Sequence, residues 1–349
     1  MRHDAPRSAV PGSNAFALWL MPNTLPPIGP RFAGLIGCCV PETPSFYMKP
    51  RGPRDISCRR NRLEWPGPGR DTPIDERGIS LARTPPGPIR HGQGRIMLGA
   101  IAGDIIGSIH EFGPPAPPGT PLVDPRSHYT DDTLLTLATM EALLEGADYA
   151  SVYRRAWEAE PNQSWGARFQ QWAREPGAAP YNSFGNGSAM RVSPIALWFQ
   201  DRQQALEAAA ASAAVTHDHP EGIKGAQATV DAIQQARDGR TGDAILAAVC
   251  ERYGYETTPS LDALRASSRY NETCQGTVPP AIQVACQSAS FEACMSTCLT
   301  LDADTDTLAC IAGGVAEARF GVPDWAVELV QTRLGHEQWA LVQRFYQEG

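Results

Sequence analysis

The sequence predicts an all-α protein, built as a single compact domain of roughly 250 residues that follows a long N-terminal extension. From residue 97 onward, apolar residues recur at the three-to-four-residue spacing of helices in one segment after another. No stretch alternates apolar and polar residues as a half-buried strand does. Alanine-rich runs such as 208–214 favour helix further, because alanine has the highest intrinsic helix propensity.

The helical pattern begins with the apolar segment 97–108, in which Gly99, Gly103 and Gly107 stand four residues apart. On a helix these glycines form one smooth face, which predicts close packing against a second helix. A phosphate-binding loop is the alternative, but the glycine spacing fits neither common loop motif. Ten helical segments follow in chain order: 132–144, 151–159, 163–174, 188–199, 203–215, 221–237, 242–253, 291–299, 307–320 and 325–334.

Residues 1–96 differ in composition from the rest of the chain. They contain 16 of the 31 prolines and carry 14 basic against 7 acidic residues, a net charge of +7. A segment rich in Pro, Gly and Arg buries little apolar surface, and we expect it to be disordered. An alternative is that Met97 is the true first residue and that the upstream sequence is not native. The expected domains are therefore an extension over 1–96 and a folded domain over 97–349.

The folded part of the chain is acidic. The whole chain has a net charge of −8, which leaves −15 for the residues after the extension. This balance disfavours a nucleic-acid-binding surface and suits a site that concentrates cations. No apolar run approaches the roughly 18 residues of a membrane span, and no secretory signal is evident. The 9 cysteines follow no framework of spacings, so we expect free thiols in a reducing, cytoplasmic compartment.

A cluster of acids precedes one of the apolar helical segments. Asp302, Asp304 and Asp306 stand at alternate positions. One acid there would cap the helix, but three close carboxylates repel each other unless a cation lies among them. A hard divalent cation, which prefers oxygen ligands, is the economical explanation. An EF-hand is excluded, because its sixth and twelfth places hold Thr307 and Gly313 instead of Gly and Glu.

Thr130, Asp131, Asp132 and Thr133 form a second acidic cluster, again directly before an apolar helix. Taken alone, this cluster reads as a helix cap with acids in the first turn. Together the two clusters supply at least four carboxylates and two hydroxyls, about what two Mg²⁺ ions with a shared acid require. Both clusters would then have to meet in space, although more than 170 positions separate them.

A glycine-rich segment, 183–191, suggests a site for an anion. Gly185, Asn186 and Gly187 precede Ser188 at a predicted helix start. Exposed backbone amides in such a turn, together with the helix N-terminus, would suit a phosphate group. The alternative is a plain turn in which Ser188 caps the helix.

His217 and His219 flank Asp218 in a further polar segment. A zinc site would use such residues, and a single histidine is most often structural. The other candidate ligands in the chain are hard oxygen donors. We therefore expect a hydrogen-bonding role for His217.

These segments, taken in order, resemble the ADP-ribosylglycohydrolase family, which is related to the enzyme that removes ADP-ribose from dinitrogenase reductase. The resemblance covers residues 97–325 and implies an all-α fold with two Mg²⁺ or Mn²⁺ ions. It is carried by 99–111, 130–133, 183–191, 216–222 and 304–307, and 271–279 resembles a segment of many bacterial members. The family usually has two glycines before residue 304. Here Asp302 and Ala303 replace them, and their side chains would narrow the approach to the metals or add an acid.

The resemblance also implies roles for individual residues. Glu111 and Asp304 are the implied catalytic residues, placed to position the attacking water. Asp306 is the implied ligand shared by the two ions. The full set of implied metal ligands is Thr130, Asp131, Asp132, Asp304, Asp306 and Thr307. The residues implied to hold the diphosphate and distal parts of ADP-ribose are Ser183, Phe184, Gly185, Asn186, Gly187 and His217.

The resemblance thus predicts an enzyme that hydrolyses the glycosidic bond between ADP-ribose and an acceptor and releases ADP-ribose. The transition state of such a reaction has oxocarbenium character. The expected partner is an ADP-ribosylated protein or small molecule, with no nucleic acid and no membrane, and we expect a monomer. Two alternatives stay open: a non-catalytic ADP-ribose-binding module, and a metal-dependent phosphohydrolase that cleaves a nucleotide diphosphate.

Overall fold

A computed structural model describes residues 98–348 of the chain, which form fifteen α-helices. In chain order they are α1 (Leu98–Gly107), α2 (Asp131–Glu145), α3 (Tyr149–Ala159), α4 (Ala167–Arg174), α5 (Gly187–Met190), α6 (Ser193–Trp198), α7 (Arg202–Ala214), α8 (Pro220–Arg237), α9 (Gly242–Tyr253), α10 (Leu261–Ser267), α11 (Cys274–Gln287), α12 (Phe291–Leu299), α13 (Thr305–Phe320), α14 (Asp324–Arg333) and α15 (His336–Glu348). A 3₁₀ turn, Ser108–His110, continues α1. These residues contain no strand, only an isolated antiparallel bridge between Gly185 and Thr273. The all-α prediction is confirmed, and the predicted extension over 1–96 lies outside the described residues.

Each of the ten predicted helical segments overlaps an observed helix. The segment 188–199 is divided, because α5 ends at Met190 and α6 begins again at Ser193 with Pro194 in its first turn, where proline is favoured. The segment 163–174 becomes helical only at Ala167. Helices α10, α11 and α15 are additional to the predicted set. No helix within 98–348 combines the length and the apolar sequence that a membrane span requires.

Helix α11 is the clearest addition, since Pro279 and Pro280 lie inside it. Each proline removes a backbone donor from the helix, and this obscures the helical pattern in the sequence. The helix begins with a conventional cap, in which Thr273 accepts a hydrogen bond from the Gly276 amide at 3.1 Å. Fully buried apolar side chains such as Ile282 then offset the cost of the two prolines.

Helix α13 lies at the centre of the fold and packs against α1, α8, α11 and α12. Its approach to α1 depends on the predicted glycine face. A methyl group added at Gly103 would overlap the carbonyl oxygen of Ala309, and one at Gly107 would lie 2.5 Å from Cα of Asp306. The prediction of close helix packing is confirmed. It brings the end of α1 against the acidic first turn of α13.

Glu317 is a buried acid in the interface between α1 and α13. Its Oε2 accepts a hydrogen bond at 2.7 Å from the backbone amide of Gly99, one of the amides that lack a partner within their own helix. Because this contact suits one alignment of the two helices, it fixes their register. The register in turn places Gly107 against Asp306.

The six cysteines within 98–348 are free thiols, and all except Cys250 are buried. Cys294 and Cys298 both belong to α12, in keeping with their four-residue spacing. This agrees with the expectation of buried free thiols for the described part of the chain. Cys38, Cys39 and Cys58 lie outside it.

Candidate metal centre and substrate cavity

A cavity of about 450 Å³ opens where the first turns of α2, α5 and α13 meet. This volume is within the range of small-molecule sites. The lining contains more acidic than basic side chains. The acids are Glu111, Asp131, Asp132, Glu272, Asp304 and Asp306, and the basic residues are Arg168, Arg191 and His217.

The two acidic clusters predicted from the sequence meet at this cavity. The hydroxyl of Thr307 donates a hydrogen bond to Oδ2 of Asp132 at 3.3 Å, and both residues are buried. Asp131 and Asp306 line the same cavity. The predicted convergence is therefore confirmed, while the binding of metal by these residues stays a prediction.

Helix capping does not account for Asp304. It is the N-cap residue of α13, yet its side chain makes no cap hydrogen bond. Instead, its Oδ2 accepts a hydrogen bond from the Asn186 side-chain amide at 2.7 Å, and Asp304 lines the cavity. Thr130 differs, since it caps α2 by accepting from the Asp132 amide at 3.2 Å. The capping interpretation is therefore correct for Thr130 and wrong for Asp304.

Glu111, Asp304 and Asp306 form the tightest group of acids. One carboxylate oxygen from each lies within 4.8 Å of the others. Burial, followed by the charges of Asp304 and Asp104, raises the pKa of Glu111 to about 7. Burial is also the main cause that raises the pKa of both Asp304 and Asp306. Acids held together at this cost are suited to a bound cation.

Asp131 and Asp132 extend this group. Burial, then the charge of Asp104, raises the pKa of each well above the usual value. Oδ1 of Asp132 is buried and has no hydrogen-bond partner among the described residues. Because every donor in the group is a hard oxygen, the residues fit Mg²⁺ or Mn²⁺ better than a soft or borderline metal.

Asp104 is a buried site residue that the sequence analysis does not single out. From α1 it accepts hydrogen bonds from the backbone amides of Thr130 at 2.9 Å and Thr133 at 3.1 Å. It also accepts from the hydroxyl of Thr130 at 2.8 Å and from that of Thr133. Asp104 thereby holds the first turn of α2 in place. Its one signal in the sequence is that it is the only charged residue in the apolar segment of α1.

The glycine-rich loop differs from its expected form. The Asn186 amide donates to the carbonyl oxygen of Glu272 at 2.8 Å, and the Gly185 amide donates to the Ser183 hydroxyl at 3.1 Å. These two amides are therefore engaged within the protein and not exposed. Ser188 does not cap α5, because its hydroxyl donates to the Gly222 carbonyl at 2.8 Å. The loop is instead held in position by the segment before α11.

Two of the predicted site residues, Thr130 and Phe184, are not in the cavity lining, and neither are Asp302 and Ala303. The Phe184 side chain is 43% exposed, and its ring centroid lies 5.2 Å from that of His219. Asp302 and Ala303, which replace the usual glycine pair, are half-buried beside the cavity. The Asp302 amide donates to the Ser268 hydroxyl at 3.0 Å.

His217 lies in the cavity wall close to Tyr181, with ring centroids 5.9 Å apart. Burial, followed by the positive charges of Arg191 and Arg168, holds the pKa of His217 well below its usual 6.5. The imidazole is therefore neutral at neutral pH. Arg191 is fully buried, and the sequence analysis assigns it no role.

Comparisons with known proteins show similarity in sequence and in fold. The family model described as ADP-ribosylglycohydrolase matches residues 94–349. The chain is similar to the ADP-ribosylhydrolase ARH3 of Gallus gallus, with 24% identity over 334 positions that cover 71% of this chain and 90% of that protein. The Homo sapiens ARH3 is 24% identical over 322 positions, covering 69% and 89%. A solved structure described as an ADP-ribosylglycohydrolase-related protein complex shares the fold, with a TM-score of 0.58 and 22% identity over 72% of this chain and 95% of that one.

Proposed function

Because the chain belongs to the ADP-ribosylglycohydrolase family, we propose that its domain over 97–349 hydrolyses the glycosidic bond between ADP-ribose and an acceptor. Water attacks C1″ of the distal ribose, the bond to the acceptor breaks, and ADP-ribose is released. The observation that carries this proposal is the approach of Glu111, Asp304 and Asp306 within 4.8 Å of one another in the cavity wall.

Two divalent cations, Mg²⁺ or Mn²⁺, fit the donor set of the cavity. Side chains at the two helix starts would hold them, and Asp306 would serve both ions. The orphaned Oδ1 of Asp132 and the raised pKa values of its neighbours support this assignment. When bound, the cations would neutralise the carboxylates and act as Lewis acids toward oxygen atoms of the substrate. The proposed ligands are Thr130, Asp131, Asp132, Asp304, Asp306 and Thr307.

Glu111 is the proposed general base. It is half-buried and lines the cavity, and its pKa of about 7 allows it to gain and lose a proton near neutral pH. It would accept the proton of the attacking water. Asp304 is the second proposed catalytic residue, and the amide of Asn186 fixes the orientation of its carboxylate. Both groups orient the water toward the ribose.

The remaining wall of the cavity is proposed to bind the diphosphate and distal parts of ADP-ribose. His217 and the two arginines in the lining supply donors and positive charge, which favour a diphosphate. Gly185 and Gly187 leave room for the substrate beside His217, since a side chain at either position would approach its ring. Phe184, next to the cavity, would offer its exposed aromatic ring to the distal part of ADP-ribose. Ser183 and Asn186 complete the proposed contact residues.

The test is to incubate the full chain with a panel of ADP-ribosylated substrates, with Mg²⁺ and with chelator, and to identify products by mass. We expect intact ADP-ribose, released only when the cation is present. Asp306→Asn is expected to abolish release. Asp302→Asn serves as the matched control, because Asp302 belongs to the same segment but does not line the cavity.

The same experiment separates the alternatives. Binding of ADP-ribose without release from any substrate of the panel would indicate a non-catalytic binding module. Release of AMP, with phosphoribose left on the acceptor, in place of ADP-ribose would indicate a phosphohydrolase. Either result would contradict the proposed function.

A further inference from the structure

We infer that Arg191 and Thr216 act as positioning residues that hold His217 in one tautomer, with its proton on Nε2, so that the ring presents a hydrogen-bond donor to the cavity. The inference rests on the proposed function, since the group that this donor would meet is a diphosphate oxygen of ADP-ribose. It concerns Arg191 and Thr216, to which the sequence motifs assign no role.

Arg191 is the first of the two positioning residues. It is fully buried, and its guanidinium carbon lies 4.4 Å from the ring centroid of Tyr153. Its Nη2 donates to the Ser212 carbonyl oxygen at 2.7 Å and to Oγ1 of Thr216 at 3.0 Å. A guanidinium group can only donate hydrogen bonds. One lone pair of the Thr216 hydroxyl is therefore occupied by Arg191.

Thr216 passes this constraint to His217. Its Oγ1 lies 2.7 Å from Nδ1 of His217. Because Oγ1 already accepts a hydrogen bond from the cationic Arg191, the Thr216 hydroxyl is polarised as a donor, and its proton is available to Nδ1 of His217. The nearby positive charge of Arg191 also favours a lone pair over an N–H group at Nδ1. A neutral imidazole that accepts at Nδ1 carries its proton on Nε2.

The environment of His217 keeps the ring neutral, so the choice of tautomer is decisive. Burial disfavours the imidazolium form, and the positive charges of Arg191 and Arg168 disfavour it further. A neutral ring has one donor and one acceptor. If Nδ1 were the donor, the nitrogen on the cavity side would be an acceptor and would repel an anionic oxygen.

The outer nitrogen of His217 faces the glycine-rich loop. A methyl group added at Gly187 would lie 3.3 Å from Nε2, and one at Gly185 would lie 3.5 Å from it. Both glycines and His217 line the cavity. Nε2 is thus directed to the segment that is proposed to hold the diphosphate, and glycine is needed there to leave the nitrogen accessible.

Arg191 also contributes charge to this wall. Its Nε and Nη1 are buried and have no hydrogen-bond partner within the described part of the chain. Two of the guanidinium nitrogens of Arg191 thus have no hydrogen-bond acceptor near them, and the positive charge of the group lies close to His217. An anionic group at Nε2 would be stabilised by both the donor and this charge.

The test is ¹⁵N NMR of histidine-labelled protein without ligand, in the wild type, Thr216→Ser and Thr216→Val. The chain has 7 histidines, and His217→Gln identifies the signals of interest by their absence. We expect protonated Nε2 and unprotonated Nδ1 in the wild type and Thr216→Ser, and loss of this single tautomer in Thr216→Val. A wild-type spectrum with the proton on Nδ1 would overturn the inference, even if Thr216→Val did not fold.

Binding of ADP-ribose in the presence of Mg²⁺ supplies the second readout. Thr216→Val should raise the dissociation constant for ADP-ribose roughly tenfold, as expected when one hydrogen bond to a charged group is lost. Thr216→Ser should bind ADP-ribose with the wild-type affinity. An unchanged tautomer and an unchanged affinity in a folded Thr216→Val protein would show that Thr216 does not position His217. Failure to hydrolyse any ADP-ribosylated substrate would contradict the proposed function alone, because the tautomer is measured on the free protein.

Discussion

The hydroxyl of Thr307 donates to the carboxylate of Asp132 at 3.3 Å, although 175 positions of sequence separate the two residues. The contact joins the first turn of α13 to the first turn of α2. Helix N-termini carry partial positive charge, which helps each of them hold its acids. The remaining repulsion among the acids is what a divalent cation would relieve. The site is therefore a property of two helix starts held together by the rest of the fold.

Replacement of Asp306 by Asn tests the proposed shared ligand. The change removes one charge and retains the shape of the side chain, so the fold should survive. We expect hydrolysis of an ADP-ribosylated substrate to fall by about 10³-fold or more, since metal chemistry typically supplies several kcal/mol to such reactions. Turnover at saturating Mg²⁺ is the measurement.

Asp302→Asn makes the same chemical change four residues earlier, outside the cavity lining. Its turnover should stay within about threefold of the wild type, because Asp302 does not line the cavity. Full activity of Asp306→Asn in the presence of chelator would rule out a metal-dependent mechanism.

The pH dependence of stability tests the acid cluster without reference to activity. The pKa of Glu111 is raised from 4.5 to about 7 in the folded protein, and those of Asp131, Asp132 and Asp306 are raised from 3.8. In chelator, the folded state therefore binds more protons than the unfolded state over the pH range between the unfolded-state and folded-state pKa values. Stability is therefore greatest at low pH in this window and falls as pH rises through the folded pKa values.

Thermal unfolding in chelator at about pH 5.5, 6.5 and 7.5 gives the measurement for these groups. Tm should decrease along the series. Mg²⁺ should raise Tm most at the highest pH, because the cation binds the deprotonated acids. A Tm that increases with pH in chelator, or a Mg²⁺ effect largest at the lowest pH, would contradict the described electrostatics.

Gly103→Ala tests the packing of α1 on α13. The added methyl group would overlap the Ala309 carbonyl oxygen, so we expect a loss of roughly 1–3 kcal/mol in the free energy of unfolding. Gly335→Ala is the matched control, since a methyl group there meets only the Gln338 side chain, at 3.5 Å. Urea unfolding of both variants provides the comparison. Equal stability of the two would show that α1 does not approach α13 as described.

Glu111→Gln tests the proposed general base. The variant cannot accept a proton, and kcat should fall by about 10²–10⁴-fold while ADP-ribose still binds. Glu272→Gln removes a neighbouring negative charge that helps to raise the pKa of Glu111, but leaves the base in place. We expect less than a roughly tenfold change for Glu272→Gln. Equal losses in both variants would assign the effect to charge and not to proton transfer.

Local patterns in the sequence predicted much of the fold. Asp132 and Asp306 were recognised as acids at the start of an apolar helix, and each lies in a first turn. The glycines of α1 predicted a close helix contact that the structure contains. These features follow from nearest-neighbour physics, namely capping, helical periodicity and steric volume. The same information defined ten helical segments, each of which overlaps an observed helix.

Features that depend on tertiary contacts were missed. Asp104 completes the start of α2 from another helix, 26 positions before Thr130. A local pattern carries no record of such a partner. Helix α15 buries Trp339, Val342 and Phe345, three residues apart, but Leu341 and Tyr346 directly beside them obscure this spacing in the sequence. The role proposed for the buried Arg191 likewise depends on its tertiary contacts with Thr216 and His217, which the sequence does not show.

Binding of Mn²⁺ to the wild type, Asp132→Asn and Asp306→Asn tests the central claim most directly, because the two substitutions lie in different clusters. Equilibrium dialysis measures the ions bound per chain. The wild type should bind two Mn²⁺ ions, and each substitution should weaken or abolish binding, since both residues face one site. Retention of wild-type affinity and stoichiometry by Asp132→Asn, with loss only in Asp306→Asn, would contradict a centre shared by the two helix starts.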